Sequence, residues 1–200
     1  LVAIKSLIGS ENDNVVKEFE TGFAKIIGDG ECVSYAAARM GFYDLLKLKG
    51  IGVNDEVVLT GYTCVVMVDA VVRTGATPIY SDIDIETFGS SIKSISSCIT
   101  RSTKMIVAQH SFGIPCDIRK IQLLARSKNI FLLEDCALTL GSSVDGVVVG
   151  NFGDAALFST DHSKPINTMT GGMIYTKNIS LANMLRSSRD SYDILSVKKQ

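Results

Sequence analysis

Four short stretches of this chain are apolar almost throughout instead of alternating: "EVVLT" (56–60), "TPIYSDI" (77–83), "KMIVAQH" (104–110) and "IFLLED" (130–135). Strands of that kind are covered on both faces, and they belong inside a sandwich of helices. Between them lie "AAARMGFYDLLKLKG" (36–50), "TCVVMVDAVVRTG" (63–75) and "DIRKIQLLARSKN" (117–129), which carry helical spacing, and two of the three end near glycine. The alternation predicts an α/β fold, a three-layer sandwich around a mainly parallel sheet with right-handed crossovers. After Asp135 the pattern changes. "GSSVDGVVVGNFGD" reads as a glycine-turned excursion, followed by strand "AALFST" (155–160), a polar loop, strand "GGMIYT" (171–176) and helix "SLANMLRSSRDS" (180–191). The later strands need not all run parallel, so the sheet is expected to be mixed.

No internal repeat, low-complexity tract or linker divides the 200 residues, which read as one domain, 1–200, with an N-terminal helix over about 1–28. The balance of 20 Lys+Arg against 21 Asp+Glu gives no electrostatic reason to expect nucleic acid or an anionic membrane as a partner. A small molecule is expected instead. Cys32, Cys64, Cys98, Cys116 and Cys136 are odd in number and form no CxxC pair, so neither a disulfide framework nor a metal site is expected. Buried reduced thiols in a cytoplasmic protein are the plain reading. No apolar run reaches the roughly 20 residues that span a bilayer, and "LVAIKSLIGSENDN" lacks the cleavage pattern of a signal peptide. A leucine at the start and "SVKKQ" at the end suggest that both ends are truncations.

Ligands of open α/β sheets bind beyond the carboxyl ends of the strands, which directs attention to His110, Glu134-Asp135 and the stretch Ser159 to Lys164. Asp135 follows four apolar residues, so its carboxylate emerges from the core and calls for a cationic partner. A helix N-cap or a structural ion pair would satisfy it equally well. Lys164 sits in a short loop between two apolar strands. The plain reading is a solvated loop lysine; the other is a partly desolvated amine, a nucleophile towards carbonyls. Lysine and aspartate at adjacent strand ends suit pyridoxal phosphate (PLP), which needs an amine for its aldehyde, an acid opposite its pyridinium nitrogen and backbone donors at a helix start for its phosphate. Such a start is present at "VSYAAARM", where Ala38 and Arg39 offer N–H groups among small side chains. The pair Gly171-Gly172 is a weak signal, usually a turn or close strand packing.

With these residues in view, the sequence resembles the DegT/StrS-type sugar aminotransferases, PLP enzymes of fold type I that aminate keto sugars carried on nucleotides. The resemblance runs over nearly the whole chain through "FETGFAKIIG", "GIGVNDEVVLTGYT", "AVVRTGATPIYSDID", "ITRSTKMIVAQHSFGIPCDI", "IFLLEDCALTLGSS" and "GNFGDAALFSTDHSKPINTMTGGMIYT". It implies an aspartate aminotransferase-like large domain. Lys164 matches the lysine that bonds the PLP aldehyde and shuttles the proton. Asp135 matches the acid facing the pyridine nitrogen, Ser159 the hydroxyl on the phosphate, and Ala38 with Arg39 the phosphate-binding helix start. It further implies an amino acid donor, commonly glutamate, a keto sugar nucleotide as acceptor, and a homodimer with the site at its interface.

The pattern also departs from the family. Cys64 stands where many members place an aromatic ring over the PLP, so that stacking either falls to neighbouring Tyr62 or is weaker, and Leu138 replaces a polar residue that often contacts the cofactor hydroxyl. His162 lies outside the usual pattern and His110 reads as a structural strand-end histidine. Family members are longer, with a C-terminal small domain, so the resemblance implies that these 200 residues are the large-domain part of such an enzyme, with the small domain expected to be absent. Two rival readings follow: a related PLP-dependent sugar dehydratase, which carries histidine in place of the lysine and is opposed by Lys164, and a catalytically silent domain that keeps the fold for dimerisation or sensing. A nicotinamide-binding domain is set aside because no GxGxxG follows the first strand.

Overall fold

In a computed structural model, which describes residues 13–192, the expected alternation is present and has gained members at its start and middle. The chain opens with α1 (Asp13–Ile27), β1 (Glu31–Tyr35), α2 (Ala38–Leu48), β2 (Glu56–Thr60), α3 (Val65–Arg73) and β3 (Thr77–Ser81). It continues with α4 (Ile92–Cys98), β4 (Thr103–Gln109), α5 (Ile118–Lys128) and β5 (Phe131–Asp135). The small hairpin β6 (Ser143–Val144) and β7 (Val147–Val148) precedes β8 (Ala155–Ser159), β9 (Gly172–Thr176) and α6 (Ile179–Asp190). The helix expected over about 1–28 is seen from Asp13, and residues 1–12 lie outside the described residues. Neither β1 nor α4 is anticipated by the sequence pattern.

The main sheet has seven strands in the order β1-β9-β8-β5-β4-β2-β3. Strand β9 runs antiparallel to both of its neighbours, and the remaining pairs are parallel. The carboxyl ends of β1, β2, β4, β5 and β8 therefore lie along one edge, and β9 begins there. Strand alternation divides the side chains between two faces. Val57, Leu59, Met105, Val107, Leu133, Ala155 and Leu157 pack with α2, α3 and α6 on one side. Val58, Ile106, Ala108 and Leu132 pack with α4 and α5 on the other. Beyond them α1 sets Phe23, Ala24 and Ile27 against Cys32, Ala156, Phe158, Met173 and Tyr175 of β1, β8 and β9. Double burial of the strands is what makes their runs apolar, each large side chain contributing about 1.5–3 kcal/mol on leaving water.

Local chemistry ends the helices where the pattern says they should. Gly50 and Gly75 close α2 and α3 with left-handed backbone, and Asn129 does the same for α5 at φ 54°. The expected excursion after Asp135 is the β6–β7 hairpin, turned at Asp145-Gly146 with positive φ at both residues, the turn that matches strand twist.

Candidate active site

Three polar residues end strands on the face covered by α2. Gln109 follows Val107, Asp135 follows Leu133 and Ser159 follows Leu157, each two positions beyond a residue of that face's core. Gln109 and Asp135 are partners in register, and Asp135 is in turn opposite Leu157. Asp135 is buried, and its Oδ1 accepts the Ala137 N–H at 3.0 Å. Burial pushes its carboxyl above the ordinary 3.8, opposed by the Ala137 N–H and by the fields of His110 and Lys164. The half-buried Lys164 is thus within electrostatic reach of Asp135. Its backbone is fixed by a turn in which the Lys164 N–H donates to the Asp161 carbonyl at 2.9 Å.

A helix start adjoins this row. Gly172 is the register partner of both Tyr35 and Ser159, and a methyl group built on it would lie 2.4 Å from the N and Cα of Ala38. Glycine there lets the first turn of α2 sit directly on β9, one strand from Ser159. The N-cap residue Ala37 offers no side-chain acceptor and the first turn holds no acid, so the N–H groups of Ala38 and Arg39 have no acceptor within the helix. Small side chains leave room for an anion to approach these donors. Ser159 is half-buried, and its Oγ accepts the Asp161 N–H at 3.4 Å.

The other sequence-nominated residues stand at the rim. Tyr62 is 56% exposed and its carbonyl accepts from Gln109 Nε2 at 2.9 Å; Cys64 is the exposed N-cap of α3. Leu138 is half-buried and its carbonyl accepts the Gly113 N–H at 3.1 Å. His162 is exposed and pairs with Asp161. Cys64 and the half-buried Cys98 depart from the expectation of buried thiols, which holds for Cys32, Cys116 and Cys136; all five are free. Sequence reasoning passed over Gln109, which is buried beside Asp135 and bonded to the Thr60 and Ser111 hydroxyls as well as to Tyr62. A polar residue closing an apolar strand is the signal that picked out Asp135; here His110, next in sequence, drew the attention.

Behind the sheet, His110, Glu134 and Cys136 bring their donor atoms within 4.8 Å of one another. His110 Nδ1 accepts the Cys116 N–H at 3.1 Å, which leaves the ring proton on Nε2, 3.1 Å from Glu134 Oε2. Both ring nitrogens are committed, so the cluster has no free imidazole lone pair for a metal.

The chain is 38% identical to GDP-perosamine synthase of Escherichia coli O157:H7 over 86% of its own length and 47% of that protein's. An aminotransferase structure from Psychrobacter cryohalolentis superposes with a TM-score of 0.88 at 30% identity, covering 94% of this chain and 48% of that one. A mutant GDP-4-keto-6-deoxymannose-3-dehydratase with bound GDP-perosamine gives 0.83 at 27% identity, over 92% of this chain and 50% of the other. The chain spans about half the length of the curated relatives it matches. The family to which these proteins point is PLP-dependent. Its model, that of the DegT/DnrJ/EryC1/StrS aminotransferase family, matches residues 4–192, and the chain belongs to that family.

Proposed function

We propose that residues 1–200 form the PLP-binding large domain of a nucleotide-sugar aminotransferase, which moves an amino group from an amino acid, glutamate by preference, to a keto sugar nucleotide. The observation that carries the reading is the convergence of Lys164 and Asp135 at one sheet edge, beside Ser159 and the uncapped start of α2. These groups fit PLP. The buried carboxyl of Asp135, whose Oδ1 accepts the Ala137 N–H, would face the ring's cationic nitrogen, and the N–H groups of Ala38 and Arg39 with the Ser159 hydroxyl would hold a phosphate. Arg39, Tyr62, Cys64 and Leu138 complete the proposed rim.

Bound PLP supplies an electrophilic aldehyde and a ring that takes up carbanion charge. Asp135 would keep a proton on the ring nitrogen, since a carboxylate with few other partners gains most from that contact. Lys164 Nζ is the amine that would hold the aldehyde and the base that would move a proton at the donor's α-carbon. The neighbouring residues Gln109 and Thr60 hold the 61–64 loop in place, Gln109 bonding the Thr60 hydroxyl and the Tyr62 carbonyl. Lys164 also weighs against dehydration as the reaction.

A homodimer, a cytoplasmic setting and a place in polysaccharide or lipopolysaccharide biosynthesis belong to the same proposal. Among the described residues no helix is long and apolar enough to cross a membrane. The test is the visible absorption of the protein with PLP, before and after glutamate, on this chain and on any longer product of its gene. A yellow band that glutamate bleaches, and that Lys164→Ala abolishes, is expected. Asp135→Ala should keep some cofactor and lose most turnover. A band unaffected by Lys164→Ala refutes the assignment of the lysine.

A further inference from the structure

Glu134 is fully buried, and its carboxylate is enclosed by donors from two other segments. Oε1 accepts the N–H groups of Phe152 and Gly153, both at 2.7 Å; Oε2 accepts the Gly150 N–H at 2.8 Å and His110 Nε2–H at 3.1 Å. A buried carboxylate is costly in isolation, but three backbone donors and an imidazole satisfy its lone pairs. The loop that wraps it has no freedom to do otherwise: a methyl group at Gly153 would lie 2.7 Å from the Leu132 carbonyl and 2.8 Å from that of Ala155.

This cluster lies on the side of the sheet opposite Asp135. Glu134 alternates with Asp135 along β5 and follows Leu132, whose core is that of α4 and α5. His110 is tied to the same dipeptide twice, through its ring to Glu134 and through its N–H to the Asp135 carbonyl at 3.0 Å. The wrapping loop leads directly into β8, the strand that ends at Ser159. One carboxylate therefore links the carboxyl ends of β4 and β5 to the loop that enters the amino end of β8, on the face opposite Asp135.

We propose that Glu134 is a positioning residue: braced by His110 and by the 150–153 loop, it fixes the end of β5 and so places Asp135 for its contact on the opposite face. The proposal rests on the cofactor reading for what Asp135 does, and not for how Asp135 is held.

The test compares Glu134→Gln with Glu20→Gln, a change in another buried carboxylate, which bonds Ser34 of β1 and Arg189, separated from β5 in the sheet by β9 and β8. The amide of Glu134→Gln turns N–H groups towards N–H groups. In the chain without PLP, amide hydrogen exchange at Gly150, Phe152 and Gly153 should accelerate, together with exchange at Ala137, whose N–H is held by Asp135 on the front face. An increase of about tenfold or more at Ala137, absent in Glu20→Gln, is expected. In the PLP-loaded protein, affinity for PLP should fall at least tenfold and the pH dependence of the visible band should move, with Glu20→Gln changing neither. Unchanged protection at Ala137 in Glu134→Gln overturns the brace whether or not the chain binds PLP. Accelerated Ala137 with no PLP binding by any longer product of the gene keeps the brace and removes the cofactor reading. Should Glu134→Gln fail to fold, His110→Phe, whose ring has no N–H and so removes one of the four donors, takes its place with the same readouts, and unchanged protection at Ala137 there overturns the brace in the same way.

Discussion

Asp135 gathers the energetic contradictions of the site into one side chain. Its carboxyl is held above the ordinary 3.8, chiefly by burial, so the fold binds its proton more tightly than the unfolded chain does. The stabilisation from that proton is fully present below the unfolded value and is lost as pH rises through the folded one. At neutral pH, without a cationic cofactor, the charged form burdens the fold. Asp135→Asn keeps an oxygen for the Ala137 N–H and removes the charge, so it should raise the Tm of the cofactor-free chain at pH 7. The gain should shrink towards zero by about pH 3, where the carboxyl is protonated in both states; thermal unfolding at the two pH values measures it. A loss of Tm at pH 7 would show that the carboxylate is already compensated by partners within the chain. At this scale the sequence was informative where a polar residue interrupts an apolar strand, as at Asp135. It was silent where partners are distant in sequence: nothing near Gln109 announces that Thr60 and Tyr62, nearly fifty residues earlier, will take up its amide.

Among the elements, β9 and α2 meet more closely than side chains permit, and Gly172 is the reason. Gly172→Ala would drive a methyl group into the N and Cα of Ala38, backbone that cannot turn aside. A cost of roughly 2–3 kcal/mol is expected in denaturant unfolding. Because α2 would have to lift from the sheet, PLP affinity should fall further than the lost stability alone requires, a comparison that separates this site from an ordinary core position. The close packing read as one meaning of the Gly171-Gly172 pair is the one found. The central strands and the helices between them were legible because both faces of each strand are buried. Strand β1 was not: "ECVSY" is short, neither alternating nor apolar throughout, and follows a helix after three residues, and its ladder partner β9 lies more than a hundred residues downstream. Helix α4, "IKSISSC", is short and rich in serine, with one buried anchor, Ile95, so its spacing carries almost no helical signal. Strand β3 stops at Ser81, short of the apolar run that suggested it, because it forms the sheet edge and pairs only with β2.

Across the molecule, the first and last described helices are tied to the same edge strand by charge. Glu20 of α1 is buried, and its Oε1 accepts the Ser34 N–H at 2.8 Å and Arg189 Nη1–H from α6 at 2.6 Å; Arg186 reaches Glu31 at 2.6 Å. Removing one partner of a buried pair leaves the other poorly compensated. Arg189→Ala should therefore cost on the order of 2 kcal/mol in denaturant unfolding, whereas Arg73→Ala, whose i,i+4 partner Asp69 is in solvent, should cost far less. Equal costs would mean that the Glu20 cluster does not clamp the edge.

The single reversed strand also sets an order of assembly. Strand β1 pairs only with β9, so Glu31–Tyr35 has no ladder until Gly172–Thr176 has been synthesised. The β8–β9 hairpin that brackets Lys164 is local, and hairpins close in roughly 1–10 μs. During synthesis the lysine loop can thus form as soon as its own strands emerge, while the start of α2, made much earlier, must wait for that hairpin before Ala38 has Gly172 to rest on.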